Sequence, residues 1–127
     1  MTPQTVKKYV DLKIVDDDLA LNSDGIPEMV CNVESIVQDV CHAVRESGHL
    51  VLMIGERNSE KRGLQMQKII IVVEDDERII PGTVAMYEMF IQGTVGRWGL
   101  TGNTYEFGNI NLKAESKVDG SYTIKSG

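Results

Sequence analysis

Apolar and polar positions alternate early in the chain, recur at helical spacing through its middle, and alternate again among glycines towards its end. In YVDLKIVDDDLALNSDGIP, Leu12 and Ile14 fall on one side and Asp11 and Lys13 on the other, the period of a half-buried strand. The run Asp16-Asp17-Asp18 interrupts the alternation and LAL resumes it, so the stretch reads as strand, turn and short strand. Asn22-Ser23-Asp24-Gly25 is a further turn signal, and Pro27 keeps a helix from starting early. The period then changes. In NVESIVQDVCHAVRESG, Val33, Ile36, Val37, Val40, Cys41 and Val44 recur as i, i+3, i+4, i+7, i+8 and i+11, one stripe of an amphipathic helix. Asn32 is the expected N-cap, because its side-chain oxygen can accept an amide of the first turn. Glu34 suits the positive end of the helix dipole, and Gly48 suits the left-handed residue that ends a helix.

HLVLMI is short and apolar, and reads as a buried strand or an apolar connection. The chain then turns polar through GERNSEKRG. A second helix is expected over 61–78, with Met66, Ile69, Ile70 and Val73 as its stripe. Taken alone IIIVV is strand-like, but the flanks QMQK and EDDER favour the helix. Beyond IIPGT, residues 82–108 hold six of the chain's 12 glycines, with aromatic and β-branched residues between them. TVAMYEMFI, NTYEFGNI and INLKAE read as strands. GTVGRWGLTGN reads as a glycine-rich loop that would expose Trp98 as an anchor for a partner. The tail, 116–127, is an edge strand or a flexible end. The expected class is α+β: two helices packed on a small, mainly antiparallel β-sheet, in a single domain over 1–127.

Composition narrows the function. A chain of 127 residues, 42% hydrophobic and 25% charged, has the balance of an ordinary globular domain. Its net charge of −6 argues against binding nucleic acid or an anionic membrane, each of which needs a basic face. The acidic runs at 16–18 and 74–77 read as solvated surface. On a helix, Cys31 and Cys41 would lie about 15 Å apart. A disulfide needs Cα atoms within about 7 Å, so two free thiols and a reducing compartment are expected. MTPQTVKKYV has no apolar core of a signal peptide, and no apolar run approaches a membrane span.

Candidate chemistry is sparse. Cys31, Cys41, His42 and His49 lack metal-site spacing, and no nucleophile elbow or phosphate loop is present. Neither a metal, a cofactor nor a catalytic residue is expected. Glu56 follows an apolar run, where desolvation could raise its pKa towards that of a general acid. No second carboxylate of a glycosidase pair accompanies it. Arg57 and Arg78 are more distinctive, since each closes an apolar element and can reach back to grip a carboxylate with two parallel hydrogen bonds.

The order of these parts is similar to that of the baseplate wedge and sheath-initiator family of contractile phage tails. That family carries a helix, a Gly-Glu-Arg segment, a second helix ending in Glu-Pro-Arg-Ile, and then strands. Gly55-Glu56-Arg57 matches the first motif. At the second, Asp76 replaces the glutamate and Glu77 the proline, while Arg78 and Ile79 match. NSEKRGLQ stands where the family usually has proline, phenylalanine and glycines. The similarity spans about residues 33–90. It implies a structural protein without enzymatic activity, made in the host cytoplasm and placed in the virion, in the tail baseplate. It implies six copies per baseplate, touching the tail sheath protein, other baseplate wedge proteins and the tail tube or hub. It also implies that the segment 55–57, with Asp76, Arg78 and Ile79, serves assembly. Two alternatives stand beside it. One is a peptidoglycan-degrading, lysozyme-like enzyme working through Glu56; the other is a small adaptor domain outside any phage.

Overall fold

The computed structural model describes residues 11–15, 18–26 and 29–127. The expectations placed on 1–10, Asp16, Asp17 and Pro27 lie outside the described residues. The first strands, β1 (Asp11–Leu12), β2 (Ile14–Val15), β3 (Asp18–Leu19) and β4 (Met29–Val30), are each 2 residues long. β1 pairs with β4 and β2 with β3, both antiparallel, so strands stand on both sides of the Asp16-Asp17 pair. Leu12 and Ile14 are nevertheless exposed. What holds this region down is polar. The Ile14 N–H donates to Gln38 Oε1 at 2.8 Å, and Gln38 Nε2 donates to the Leu12 carbonyl at 2.6 Å. The expected turn at 22–25 is present, with Asn22 Oδ1 accepting the N–H groups of Asp24 and Ile26.

Helix α1 (Asn32–Ser47) buries Ile36, Val40, Cys41 and Val44, with Val33 and Val37 partly covered beside them. The stripe is the expected one; the cap is not. Cys31 occupies the N-cap position with no side-chain bond, and Asn32 is already the first helical residue, at φ 55°. Asparagine tolerates that left-handed conformation better than most residues, so its turn-forming character was legible but its exact place was not. Gly48, at φ 78°, ends α1 by donating its N–H to the Arg45 carbonyl.

The next residue begins α2 (His49–Gly55). HLVLMI is therefore helix, neither strand nor connection. Leu50 and Met53, one turn apart, are fully buried, while Val51 and Leu52 face out. A strand would have put Leu50 and Leu52 on the same face. Helix α3 (Ser59–Glu74) is capped by Asn58, whose side chain accepts the Lys61 N–H at 3.0 Å. Ile69 and Val73 are buried and Met66 and Ile70 pack against the core, so IIIVV is helical as expected. The helix stops at Glu74, short of the expected Arg78, because the Asp76 carboxylate accepts the Arg78 N–H and forms a turn in place of another helical bond.

The rest is a meander. β5 (Ala85–Gln92), β6 (Val95–Thr104), β7 (Gly108–Ser116) and β8 (Tyr122–Ser126) form one antiparallel sheet in chain order. The tail thus supplies an edge strand, and NTYEFGNI holds the end of β6, a turn at 105–107 and the start of β7. The GTVGRWGLTGN loop is a correction: most of it is β6, an interior strand paired on both sides. Its glycines make room for rings. A Cβ at Gly96 would run into the Trp98 ring two residues on, and one at Gly99 into Tyr87, its cross-strand partner. Trp98, Leu100, Ile110, Leu112, Ala114 and Ile124 form the sheet's contribution to the core, opposite Ile36, Val44, Met53, Ile69 and Val73. The class is α+β as expected, with three helices among the described residues where two were expected.

Candidate functional site

The residues singled out in the sequence gather at the two ends of α3. At its start, Gly55 closes α2 and is exposed. Glu56 Oε1 accepts the Asn58 N–H at 3.0 Å, and Asn58 in turn caps α3. A carbonyl clasp fixes this crossing, but the arginine that makes it is Arg62. Its Nη1 donates to the carbonyls of Glu56 and Arg57 at 3.3 and 3.2 Å. The Arg57 side chain is exposed, and that residue enters the clasp through its carbonyl.

Arg62 also grips β5. Its Nε and Nη2 donate to the two carboxylate oxygens of Glu88, a fork-to-fork pair. Arg62 is 8% exposed, yet its cover is thin, with few protein atoms beyond it to strip its charge of water. The hydrogen bond to Glu88 raises the Arg62 pKa, and the same bond holds the Glu88 carboxyl below its ordinary value against the opposing effect of burial. The Trp98 indole, opposite Glu88 across β5 and β6, adds a smaller pull in the same direction. Its N–H makes no hydrogen bond of good geometry among the described residues, so Trp98 acts on Glu88 by proximity.

At the other end of α3 stands Arg78. Its Nε and Nη2 bind the Asp76 carboxylate at 2.9 and 2.5 Å, and Nη2 reaches Asp39 on α1 at 3.0 Å. The carboxylates that Arg78 grips are thus Asp76, two residues before it, and Asp39 of α1. The Asp76 pKa is lowered, first by the Arg78 side chain, with burial opposing; the Arg78 pKa is raised, first by Asp76. Ile79 is buried beneath, bridging to Thr104, and the Arg78 carbonyl accepts the Tyr105 N–H at 3.1 Å. One arginine thus ties α1, the end of α3 and the end of β6. A cavity of about 330 Å³ opens beside it, lined by Arg78, Glu77, Ile36 and residues 104–107.

Trp98 belongs elsewhere. At 2% exposure it is a core residue of β6, so the exposed-anchor expectation is corrected. Sequence reasoning missed Arg62, Glu88 and Asp39. Arg62 left a trace: with Met66, Ile69 and Val73 it falls at i, i+4, i+7 and i+11, a cation set in an apolar stripe. Burying it demands a partner, and Glu88, the one acid in β5, supplies it.

The class is thus a small α+β domain whose helical layer is laced to its sheet and to itself by two arginine–carboxylate clasps. Residues 10–113 match the family described as "Protein of unknown function (DUF2590)", and the chain belongs to that family. It is 38% identical over 105 residues to the "Uncharacterized 12.7 kDa protein in lys 3'region" of Haemophilus phage HP1 (strain HP1c1), covering 83% of this chain and 91% of that protein. The chain is therefore related to a phage-encoded protein. No solved structure matches.

Proposed function

We propose that this protein is a structural subunit of a contractile phage tail baseplate, which joins wedge subunits to the first ring of sheath and starts sheath assembly. The observation that carries the reading is the Arg78 clasp. The Asp76-Glu77-Arg78-Ile79 segment ends the second long helix, grips α1 and feeds directly into the meander, the order that the resemblance describes. Kinship with a phage-encoded protein supports the setting. Glu56 accepts a backbone N–H in the crossing between helices, which favours a turn-forming role over general acid catalysis. The partners in this reading are the tail sheath protein, neighbouring wedge proteins and the tail tube or hub.

The test is genetic. In a phage that encodes this chain, an amber codon in the gene should yield tubes and baseplates without sheath when particles are viewed by electron microscopy. Supplying the wild-type gene in trans should restore full-length sheathed tails. Normal contractile tails in the amber mutant would refute the reading.

A further inference from the structure

The helices cover one face of the meander, and the other face is open among the described residues. Of the charged residues in the four strands, Glu88 alone turns towards the helices. Arg97, Lys113, Glu115 and Lys125 share the open face. Strand register sets them in two rows. Tyr87, Gly99, Lys113 and Lys125 lie opposite one another across all four strands, and Phe90, Arg97, Glu115 and Thr123 form the row beside them. Each row begins with an aromatic ring. The Arg97 guanidinium lies 5.4 Å from the centroid of the Phe90 ring. The Tyr87 ring lies across Gly99, where a Cβ would run into its Cζ, Oη and Cε2 atoms. Glycine thus lets the ring lie down on the sheet. Tyr87 is still 48% exposed, so the ring presents its upper side to solvent.

The charge on this face is unbalanced. Lys113 and Lys125 stand directly opposite on neighbouring strands, an arrangement that costs stability. One acid answers three cations. Glu115 bonds Lys113 at 2.9 Å, and its carboxyl is held below its ordinary value first by that bond and more weakly by the charges of Lys125 and Arg97. The face therefore keeps a positive surplus on a chain with 19 acids and 13 bases. Net charge counts the whole chain, whereas binding depends on the face presented.

We infer that this face binds single-stranded nucleic acid, with a base stacked on Tyr87 and phosphates on Lys113, Lys125 and Arg97. Lys113 stands two strand spacings, about 10 Å, from Tyr87, and its long side chain can reach the phosphate of a base on the ring. An acidic protein would answer the charge but leave the open ring unused, while every base has a flat side to stack there. A duplex fits less well, because its bases already stack on one another. The site faces away from Glu88 and the Arg62 clasp, and it does not rest on the baseplate reading.

The probe is a fluorescein-labelled oligodeoxythymidylate of about twelve nucleotides, titrated with the whole protein and followed by fluorescence anisotropy. It should bind. The logarithm of its affinity should fall with that of the salt concentration with a slope of about −2, the value for three phosphates of a single strand. Tyr87→Ala should weaken binding about tenfold or more and leave that slope unchanged. Lys125→Gln, at an exposed position, should instead reduce the size of the slope by about 0.7, and it keeps the test decisive if the tyrosine variant unfolds. An oligouridylate of equal length assigns the natural strand to RNA or DNA by the tighter of the two. Absence of binding, equal binding of a duplex, or folded variants that bind as wild type does would each overturn the proposal. So would a polyglutamate peptide that binds as tightly as the oligonucleotide and is indifferent to Tyr87→Ala, which would make an acidic protein the occupant.

Discussion

Arg62 and Arg78 make the same grip on a carboxylate and do different work with it. Arg62 holds one acid, Glu88, and spends its remaining donors on two carbonyls of the crossing at 56–57. It satisfies a turn under a thin cover. Arg78 stands between two acids from separate elements, Asp76 and Asp39. It neutralises a pair of like charges that the fold has drawn together, and it does so on the wall of a cavity. The Arg62 clasp ties the crossing and α3 to β5 through a single acid. A clasp that cancels charge between elements sets how those elements sit, which suits a joint in an assembly.

That contrast can be broken by mutation. Arg78→Ala should have the largest effect, about 2–4 kcal/mol of lost stability by urea denaturation, since it leaves two acids facing each other half-buried. A loss below that from Arg62→Ala would show that the Arg78 clasp is merely local. Arg62→Ala should cost less, about 1–3 kcal/mol, because Glu88 and the carbonyls lie near enough to the surface for water to replace the donor. Its signature should be faster hydrogen exchange at 56–62, the crossing it ties, with α1 unaffected.

Acid should separate the two clasps further. Glu88 and Asp76 both have folded pKa values held below their ordinary values of 4.5 and 3.8. In that window the unfolded chain binds more protons than the folded one, so stability is fully present above about pH 5 and falls as pH drops through these values. The Glu88 contribution should fade first, since its ordinary value is higher. Denaturation followed against pH should show that first part of the decline missing in Arg62→Ala and the later part missing in Arg78→Ala. The smallest effect is expected from Arg57→Ala, within about 0.5 kcal/mol of wild type, because only its carbonyl joins the clasp. A larger loss would return Arg57 to the role the sequence suggested for it.

The two ends of the chain's middle differ in how legible they were. α1 and α3 announce themselves because a helix repeats its buried face every turn, and Ile36, Val40 and Val44, or Ile69 and Val73, record that period directly. α2 does not, since seven residues hold too few turns for a period to separate helix from strand. β6 misled for another reason. Glycine signals a loop by its freedom, but Gly96 and Gly99 are used for their lack of a side chain, to seat Trp98 and Tyr87. That need exists only once the strands are paired.

By itself the sequence determined the α+β class and the two long helices with their buried stripes, because these are written in local periodicity. Only the tertiary structure decided that β6 is an interior strand, that Trp98 is core, that Arg62 rather than Arg57 closes the crossing, and that Asp39 completes the Arg78 clasp. These depend on partners 26 and 39 residues away along the chain, and a buried charge chooses its partner by position in space, which no local pattern encodes.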